Sequence, residues 1–345
     1  SVKTLQSQGI QPDVLVCRTE YPLSVDQKKK IALFCNLHDD AVIESMDADT
    51  IYDVPLLMKK ERLDKVVLER LKLPLRDEPS LDRWKNFLTN FKNPKRTVKI
   101  ALVGKYVELQ DAYKSIQEAL VHAGVPNECS VNVVSVHSEE LNNENVAGEL
   151  REMQGIIVAP GFGQRGLDGK IIAIKHAREN GIPFFGICLG MQCCVIEFAR
   201  NVLHLEGANS AEMNANTPFP VIDIMEEQKT ISNMGGTMRL GAYKCELKEG
   251  SLAKLIYGRP EISERHRHRY EYNNKYLEQF EASGMIATGK NPETGLVEIM
   301  EIPSHPYFIG VQFHPEYKST VLNPHPLFVS FVNAAINEKQ PVAAE

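Results

Sequence analysis

The sequence has no excess of basic charge: its 345 residues carry 39 Lys and Arg against 45 Asp and Glu, a formal net charge of −6. A surface that coats nucleic acid needs cations to displace counterions from phosphates, so that role is excluded and no nucleic-acid partner is expected. No run approaches the roughly 20 apolar residues of a membrane-spanning helix, so no membrane partner is expected either. The seven cysteines contain no Cys-x-x-Cys pair. A disulfide framework or zinc ribbon is thereby disfavoured, and a reducing, cytoplasmic setting fits. Ser1 to Gly9 show no initiator Met and no secretion signal. They read as the last turns of a helix capped by Gly9, in a domain that begins upstream. A Walker phosphate cradle is missing as well, because Gly104-Lys105, Gly169-Lys170 and Gly289-Lys290 are followed by Tyr, Ile and Asn, never Ser or Thr.

What is present is ordinary globular composition, with 43% hydrophobic and 24% charged residues, in a length that suits about two domains. Near the front, the apolar runs Val14 to Cys17 and Ile31 to Phe34 read as two buried strands of a parallel sheet. A charged helical pattern follows from Tyr52 to Leu73, and proline punctuation marks 73–97 as a linker. From Val98 a second series begins. Val98 to Val103, Val131 to Val136, Gly155 to Val158, Ile182 to Ile187, Val221 to Ile224 and Tyr307 to Phe313 read as strands, with helical patterns such as Ala112 to Ala123 and Lys170 to Asn180 between the early ones. Alternation of this kind predicts an α/β domain, mainly a parallel sheet flanked by helices, with chemistry at the carboxyl ends of its strands.

Gly161-Phe162-Gly163-Gln164-Arg165-Gly166 matches the dinucleotide-binding pattern G-x-G-x-x-G. The next strand, however, ends in Cys188 rather than in the acidic residue that would hold a ribose, so the match fails its own test. Cys188 has a better explanation. In Gly186-Ile187-Cys188-Leu189-Gly190 a nucleophile sits between two glycines where a strand turns into a helix, a geometry that pushes the side chain out and keeps its approach open. At a helix N-terminus the macrodipole favours the thiolate, and the Leu189 N–H points to where an oxyanion forms. Cys193 and Cys194, inside the following helix, suit an inert core role. The final strand runs into His314-Pro315-Glu316, and strand alternation places His314 and Glu316 on one side, as base and orienter. A Cys-His-Glu triad is the expectation.

These segments resemble the class I, triad-type glutamine amidotransferases. Gly104 to Ser115, Gly235 to Gly241 and Glu264 to Glu271 narrow the likeness to the CTP synthase family, over essentially the whole chain. The resemblance implies a flavodoxin-like amidotransferase fold preceded by the tail of a P-loop-type α/β synthetase domain. The implied boundaries are a synthetase remnant over 1–72, a linker over 73–97, a glutaminase domain over 98–338 and a tail over 339–345. It also implies an ATP-dependent amination of UTP to CTP with ammonia from glutamine, of which this chain carries the glutaminase half. Mg2+ and ATP would act mostly upstream of this chain, with no cofactor in the glutaminase domain. Glutamine, UTP, ATP and CTP are the implied ligands, GTP an activator, and a tetramer the implied assembly.

Residue by residue, the resemblance makes Cys188, His314 and Glu316 catalytic and Gly161 and Leu189 the oxyanion donors. Glutamine would be held by Gly161, Leu189, Gly190, Met191, Gln192, Glu212 and Arg269, and Lys30 would contact the pyrimidine nucleotide. A carboxylate for the substrate ammonium and a guanidinium for its carboxylate suit an amino-acid ligand. One departure from the family pattern falls at Pro160, where relatives have a second glycine. Proline has no N–H, so the donor falls to Gly161 and the loop is expected to be stiffer. Other readings differ in what they require. Another triad amidotransferase or a γ-glutamyl hydrolase would share the elbow but not the front segment, and a non-catalytic nucleotide-binding or assembly module would not need the triad.

Overall fold

The computed structural model describes residues 1–75, 80–109, 111–224 and 238–337. Glu78-Pro79 of the linker, Gln110, Gly235-Gly236-Thr237 and the tail 339–345 lie outside the described residues. The chain divides into two compact units, Ser1–Leu88 and Thr89–Glu345.

In the first unit, β1 (Leu15–Thr19) pairs in parallel with β2 (Val42–Met46), Leu15 opposite Val42 and Thr19 opposite Met46. The second strand is therefore not Ile31 to Phe34, which lies inside a helix, Val25–Cys35. Ser24 and Gln27 form a capping box that starts this helix, so the apolar run is one turn of it. Of that turn Ala32 is buried, while Leu33 is 79% and Phe34 71% exposed. The small core is Ala41, Ile43 and Val66. The pattern from Tyr52 to Leu73 forms two helices, Val54–Lys60 and Leu63–Arg70, separated where Arg62 takes φ 60°. The stretch read as linker contains an amphipathic helix, Asp82–Lys92, with Phe87 and Leu88 buried. Within it the Trp84 indole donates to the Tyr52 carbonyl at 2.7 Å. The punctuation marked the ends of this helix rather than a coil.

The second unit is built on a nine-stranded sheet. Its strands in chain order are β3 (Arg96–Gly104), β4 (Cys129–His137), β5 (Gly155–Val158), β6 (Phe184–Ile187), then, after two strands outside it, β9 (Arg239–Leu247), β10 (Glu261–His268), β12 (Ile286–Lys290), β13 (Val297–Glu301) and β14 (Phe308–Val311). The spatial order is β10-β9-β12-β13-β14-β6-β5-β3-β4. From β14 to β4 the pairings are parallel, and from β14 to β10 they are antiparallel. The sheet expected as mainly parallel is thus mixed. Val221 to Ile224 does not join it: β8 (Pro220–Asp223) lies in a three-stranded sheet with β7 (Asn209–Ser210) and β11 (Glu271–Tyr272).

Helices Leu167–Asn180 and Leu189–Asn201 bury apolar side chains on one face of the large sheet. Helices Lys114–Gly124 and Pro326–Asn337 do so on the other. With both faces covered, β3, β5, β6 and β14 are buried along nearly their whole length, which is why they read as continuous apolar runs. No described helix is long and apolar enough to cross a membrane.

Candidate active site

At the end of β6 the backbone of Cys188 takes φ 52° and ψ −104°, a conformation that side chains other than glycine rarely adopt. The flanking glycines are what allow it. A Cβ on Gly190 would lie 2.2 Å from the Val158 carbonyl oxygen, and one on Gly186 would lie 2.8 Å from the Gly190 carbonyl. Strand, turn and helix can close this tightly only without those two side chains. The strained residue is the nucleophile candidate itself, as a nucleophile elbow requires. Its amide donates to Val311 on β14 at 2.7 Å, tying the elbow to the strand that leads to the base. Cys193 and Cys194 are fully buried in the helix, and burial pushes the Cys193 thiol up to about 11.

The candidate base, His314, lies on a turn rather than on a strand. The last strand ends at Val311, and His314 caps a 3-10 turn, Pro315–Lys318. The turn, not strand alternation, brings His314 Nδ1 to 2.7 Å from Glu316 Oε1. The His314 amide donates to the Arg265 carbonyl at 2.8 Å, and the Tyr317 ring stacks on the imidazole. An ionised carboxylate only accepts, so Nδ1 carries the hydrogen and Nε2 is left for the sulfur. Nε2 is buried with no conventional partner among the described residues. Burial opposes a charge on this ring. Interaction with the Cys188 sulfur and with the hydrogen-bonded Glu316 carboxylate outweighs it and pushes His314 up to about 10.

The loop after β5 is held from three sides. Lys170 Nζ donates to the Ala159 carbonyl at 2.9 Å, Lys105 Nζ donates to the Phe162 carbonyl, and the Gly163 amide donates to Glu212 Oε1 at 3.3 Å. Between these ties lies Gly161, where an added Cβ would be 3.5 Å from Leu189 Cδ2. The two oxyanion candidates are therefore neighbours. Burial raises the Glu212 carboxyl, against the Gly163 amide, Arg269 and Lys105.

One small cavity is lined by Gly161, Cys188, Gln192, Glu212 and Arg269 together. Phe162, Met238, His268 and Tyr270 complete its wall and escaped the sequence reading. His268 was legible in principle: along β10 burial alternates strictly, with Arg265 and Arg267 outside and His266 and His268 inside. Gln192 Nε2 donates to the Tyr270 carbonyl at 3.0 Å and to Gln312 Oε1 at 3.2 Å, and Gln312 Nε2 reaches the Cys188 sulfur at 3.8 Å. Gly190 and Met191 are not among the cavity-lining residues; Gly190 faces Val158, and Met191 packs on Gly310. Lys30 is an exposed residue of a helix in the first unit. A larger groove of about 860 Å3 along Lys248–Pro260 and Glu301–Phe308 is lined by no cysteine, so the small cavity at Cys188 is the candidate site.

Among the described residues no group of three or more His, Cys, Asp or Glu side chains is placed to hold a metal ion.

The family model for glutamine amidotransferase class-I matches residues 108–334, and that for the CTP synthase N-terminus matches residues 1–73. A CTP synthase of Cytophaga hutchinsonii is 64% identical over 97% of this chain and 62% of its own length. One from Flavobacterium johnsoniae is 60% identical over 98% of this chain and 63% of its own length. The chain thus spans about three-fifths of the length of the curated relatives it matches. Among solved structures, the glutaminase domain of Trypanosoma brucei CTPS with bound acivicin superposes with a TM-score of 0.66 at 38% identity, over 70% of this chain and 95% of that one. The chain belongs to the class-I glutamine amidotransferase family, within which its relatives are the CTP synthases.

Proposed function

We propose that this chain is the glutamine-hydrolysing part of a CTP synthase. The observation that carries the reading is the single cavity that gathers Cys188, Gly161, Gln192, Glu212 and Arg269, with a His314 that interacts with Cys188 and is held by Glu316. In this reading Cys188 attacks the side-chain amide carbon of glutamine as the thiolate, and the backbone N–H groups of Gly161 and Leu189 receive the oxyanion. His314, protonated and oriented by Glu316, gives its proton to the departing nitrogen, which leaves as ammonia and a thioester remains. A water then loses a proton to His314 and attacks the thioester, and glutamate leaves as the Cys188 thiolate is restored. Glu212 pairs with the substrate ammonium and Arg269 with its carboxylate, while Gln192 and the loop around Gly161 shape the wall.

The ammonia produced would aminate UTP in an ATP- and Mg2+-dependent step of the synthetase domain, in a cytoplasmic tetramer with GTP as activator and CTP as product. Residues 1–72 would then be the end of the synthetase domain, with Lys30 at its nucleotide, and 98–338 the glutaminase domain. The test is glutamate release from glutamine by the purified chain. Release that disappears in Cys188→Ala, with circular dichroism unchanged, supports the reading, and a mutant that still hydrolyses glutamine overturns it.

A further inference from the structure

Behind the cavity wall lies a buried group of ionisable side chains that the reaction above does not use. Arg239 Nη1 donates to Glu271 Oε1 at 3.1 Å, and Nη2 donates to Glu298 Oε1 at 2.8 Å. His266 Nδ1 lies 2.7 Å from His268 Nε2, and His268 Nδ1 lies 3.2 Å from the Tyr270 carbonyl and 3.4 Å from Glu271 Oε1. His266 Nε2 and Glu298 Oε2 lie 3.6 Å apart, and neither has a conventional hydrogen-bond partner among the described residues. All five side chains are at most 7% exposed. The titratable groups facing Glu298 are Arg239 and Cys245 from β9, His266 from β10 and Glu271 from β11.

The hydrogen positions follow from what each partner can do. A carbonyl only accepts, so His268 Nδ1 carries a hydrogen. In a neutral ring its Nε2 is then bare, so His266 Nδ1 must donate to it. That leaves His266 Nε2 bare, facing a carboxyl oxygen. Two lone pairs facing each other in a buried site cost free energy unless a proton lies between them. The charge count agrees: one guanidinium and two carboxylates leave a buried net negative charge, which one added proton cancels. Placed on Glu298, the proton gives the acid an O–H facing His266 Nε2 across 3.6 Å, a gap that shortens when the two groups share that proton. Burial raises both carboxyls, Glu271 up to about 8, and burial with nearby positive charge pushes His266 down to about 2, so the proton belongs to an acid and not to the ring; the hydrogen that His268 Nδ1 gives to the Tyr270 carbonyl is what places it on Glu298. The opposite polarity, with the proton on Glu271 and both rings protonated on Nε2, would turn the His268 Nδ1 lone pair toward the Tyr270 carbonyl.

We propose that Glu298 is carried as an un-ionised acid at the head of a hydrogen-bonded wire, Glu298–His266–His268, that fixes the tautomer of the cavity-wall imidazole and holds the Tyr270 carbonyl. Gln192 donates to that same carbonyl, so Glu298 acts on the site through other groups and is a positioning residue. The wire itself stands apart from glutamine hydrolysis; its effect on glutamine binding rests on the proposed function.

Infrared spectroscopy and 15N histidine NMR of the full chain at pH 7 test the wire directly. The difference spectrum of wild type minus Glu298→Gln should show one un-ionised carboxyl band, and both imidazoles should be neutral and protonated on Nδ1 in each protein. The side-chain amide introduced by Glu298→Gln can donate to His266 as the acid does, so glutamine hydrolysis should stay within about twofold of wild type, whereas Glu298→Ala should raise KM about tenfold or more and lower kcat less. A difference spectrum without the band, imidazolium or Nε2-protonated rings in the wild type, or Glu298→Gln losing as much activity as Glu298→Ala would each overturn the proposal. If Glu298→Ala does not fold, the wild-type and Glu298→Gln spectra still decide. Spectra as expected with KM unmoved in a folded Glu298→Ala would overturn the positioning role alone and leave the hydrolase reading intact.

Discussion

The two halves of the large sheet position the candidate active site by different physics. In the parallel half, β6 and β14 are wholly buried and apolar, and the nucleophile is presented by backbone shape: a strained φ at Cys188 between two glycines that cannot carry a Cβ. In the antiparallel half, the inward positions hold Arg239, His266, His268 and Glu298, and the cavity wall is set by hydrogen bonds and charge balance. The candidate base His314 lies at the seam, on the turn after β14, with its amide bonded to the Arg265 carbonyl next to buried His266. Shape fixes where the sulfur is, and charge pairing fixes what it faces.

The comparison is broken most forcefully on the parallel side. Removing the sulfur in Cys188→Ala, or the base in His314→Ala, should lower glutamine turnover on the order of 10⁴-fold or more, because residues that act as a unit fail together. A steady-state assay of glutamate release, with unchanged circular dichroism, checks both. Glu316→Gln keeps the shape but loses the carboxylate that selects the Nδ1–H tautomer, so a drop in kcat of about 10²- to 10⁴-fold is expected with KM little changed.

On the antiparallel side, Arg239→Leu removes the one cation that Glu271 and Glu298 share. Leaving the buried Glu271 carboxylate uncompensated should lower unfolding free energy by about 3–5 kcal/mol, measured by urea denaturation. Gly190→Ala tests shape instead. Its methyl would meet the Val158 carbonyl, so a loss of about 1–3 kcal/mol is expected, with a fall in turnover as the elbow shifts. If Arg239→Leu proved harmless while Gly190→Ala was severe, shape alone would govern both halves.

The same contrast explains what the sequence revealed. Val98 to Val103, Gly155 to Val158 and Ile182 to Ile187 were readable because strands covered on both faces are apolar throughout. β9, β10, β12 and β13 were not, because their buried positions include Arg239, Glu264, His266, His268, Glu298 and Glu301, which look like surface residues to any hydrophobic pattern. Ile31 to Phe34 misled in the other direction: a four-residue apolar run is too short to separate a strand from a helical turn, and the Ser24–Gln27 capping box was the signal that decided it. For the candidate site, the elbow and the His-x-Glu pair are local in sequence and were found. Met238, His268 and Tyr270 lie within the segments that carried the family likeness, but nothing local to them marked them as cavity-lining; His268 is brought there by the antiparallel pairing of β10 with β9.

The smallest expected effect is the change that Cys188→Ala makes in a pH dependence that crosses the seam. His314 is raised from about 6.5 in the unfolded chain to about 10 in the folded one. The folded state therefore binds more protons than the unfolded state between those values, and stability must fall as pH rises. The contribution is fully present below about 6.5 and is lost through about 10. Part of the shift comes from Cys188, so Cys188→Ala should flatten the alkaline decline without abolishing it, since Glu316 remains. Thermal midpoints of wild type and Cys188→Ala across this range, in one buffer series at fixed ionic strength, provide the comparison. Parallel curves would mean that the sulfur and the imidazole do not share a proton, and the elbow would then be a matter of shape without the ion pair that the seam provides.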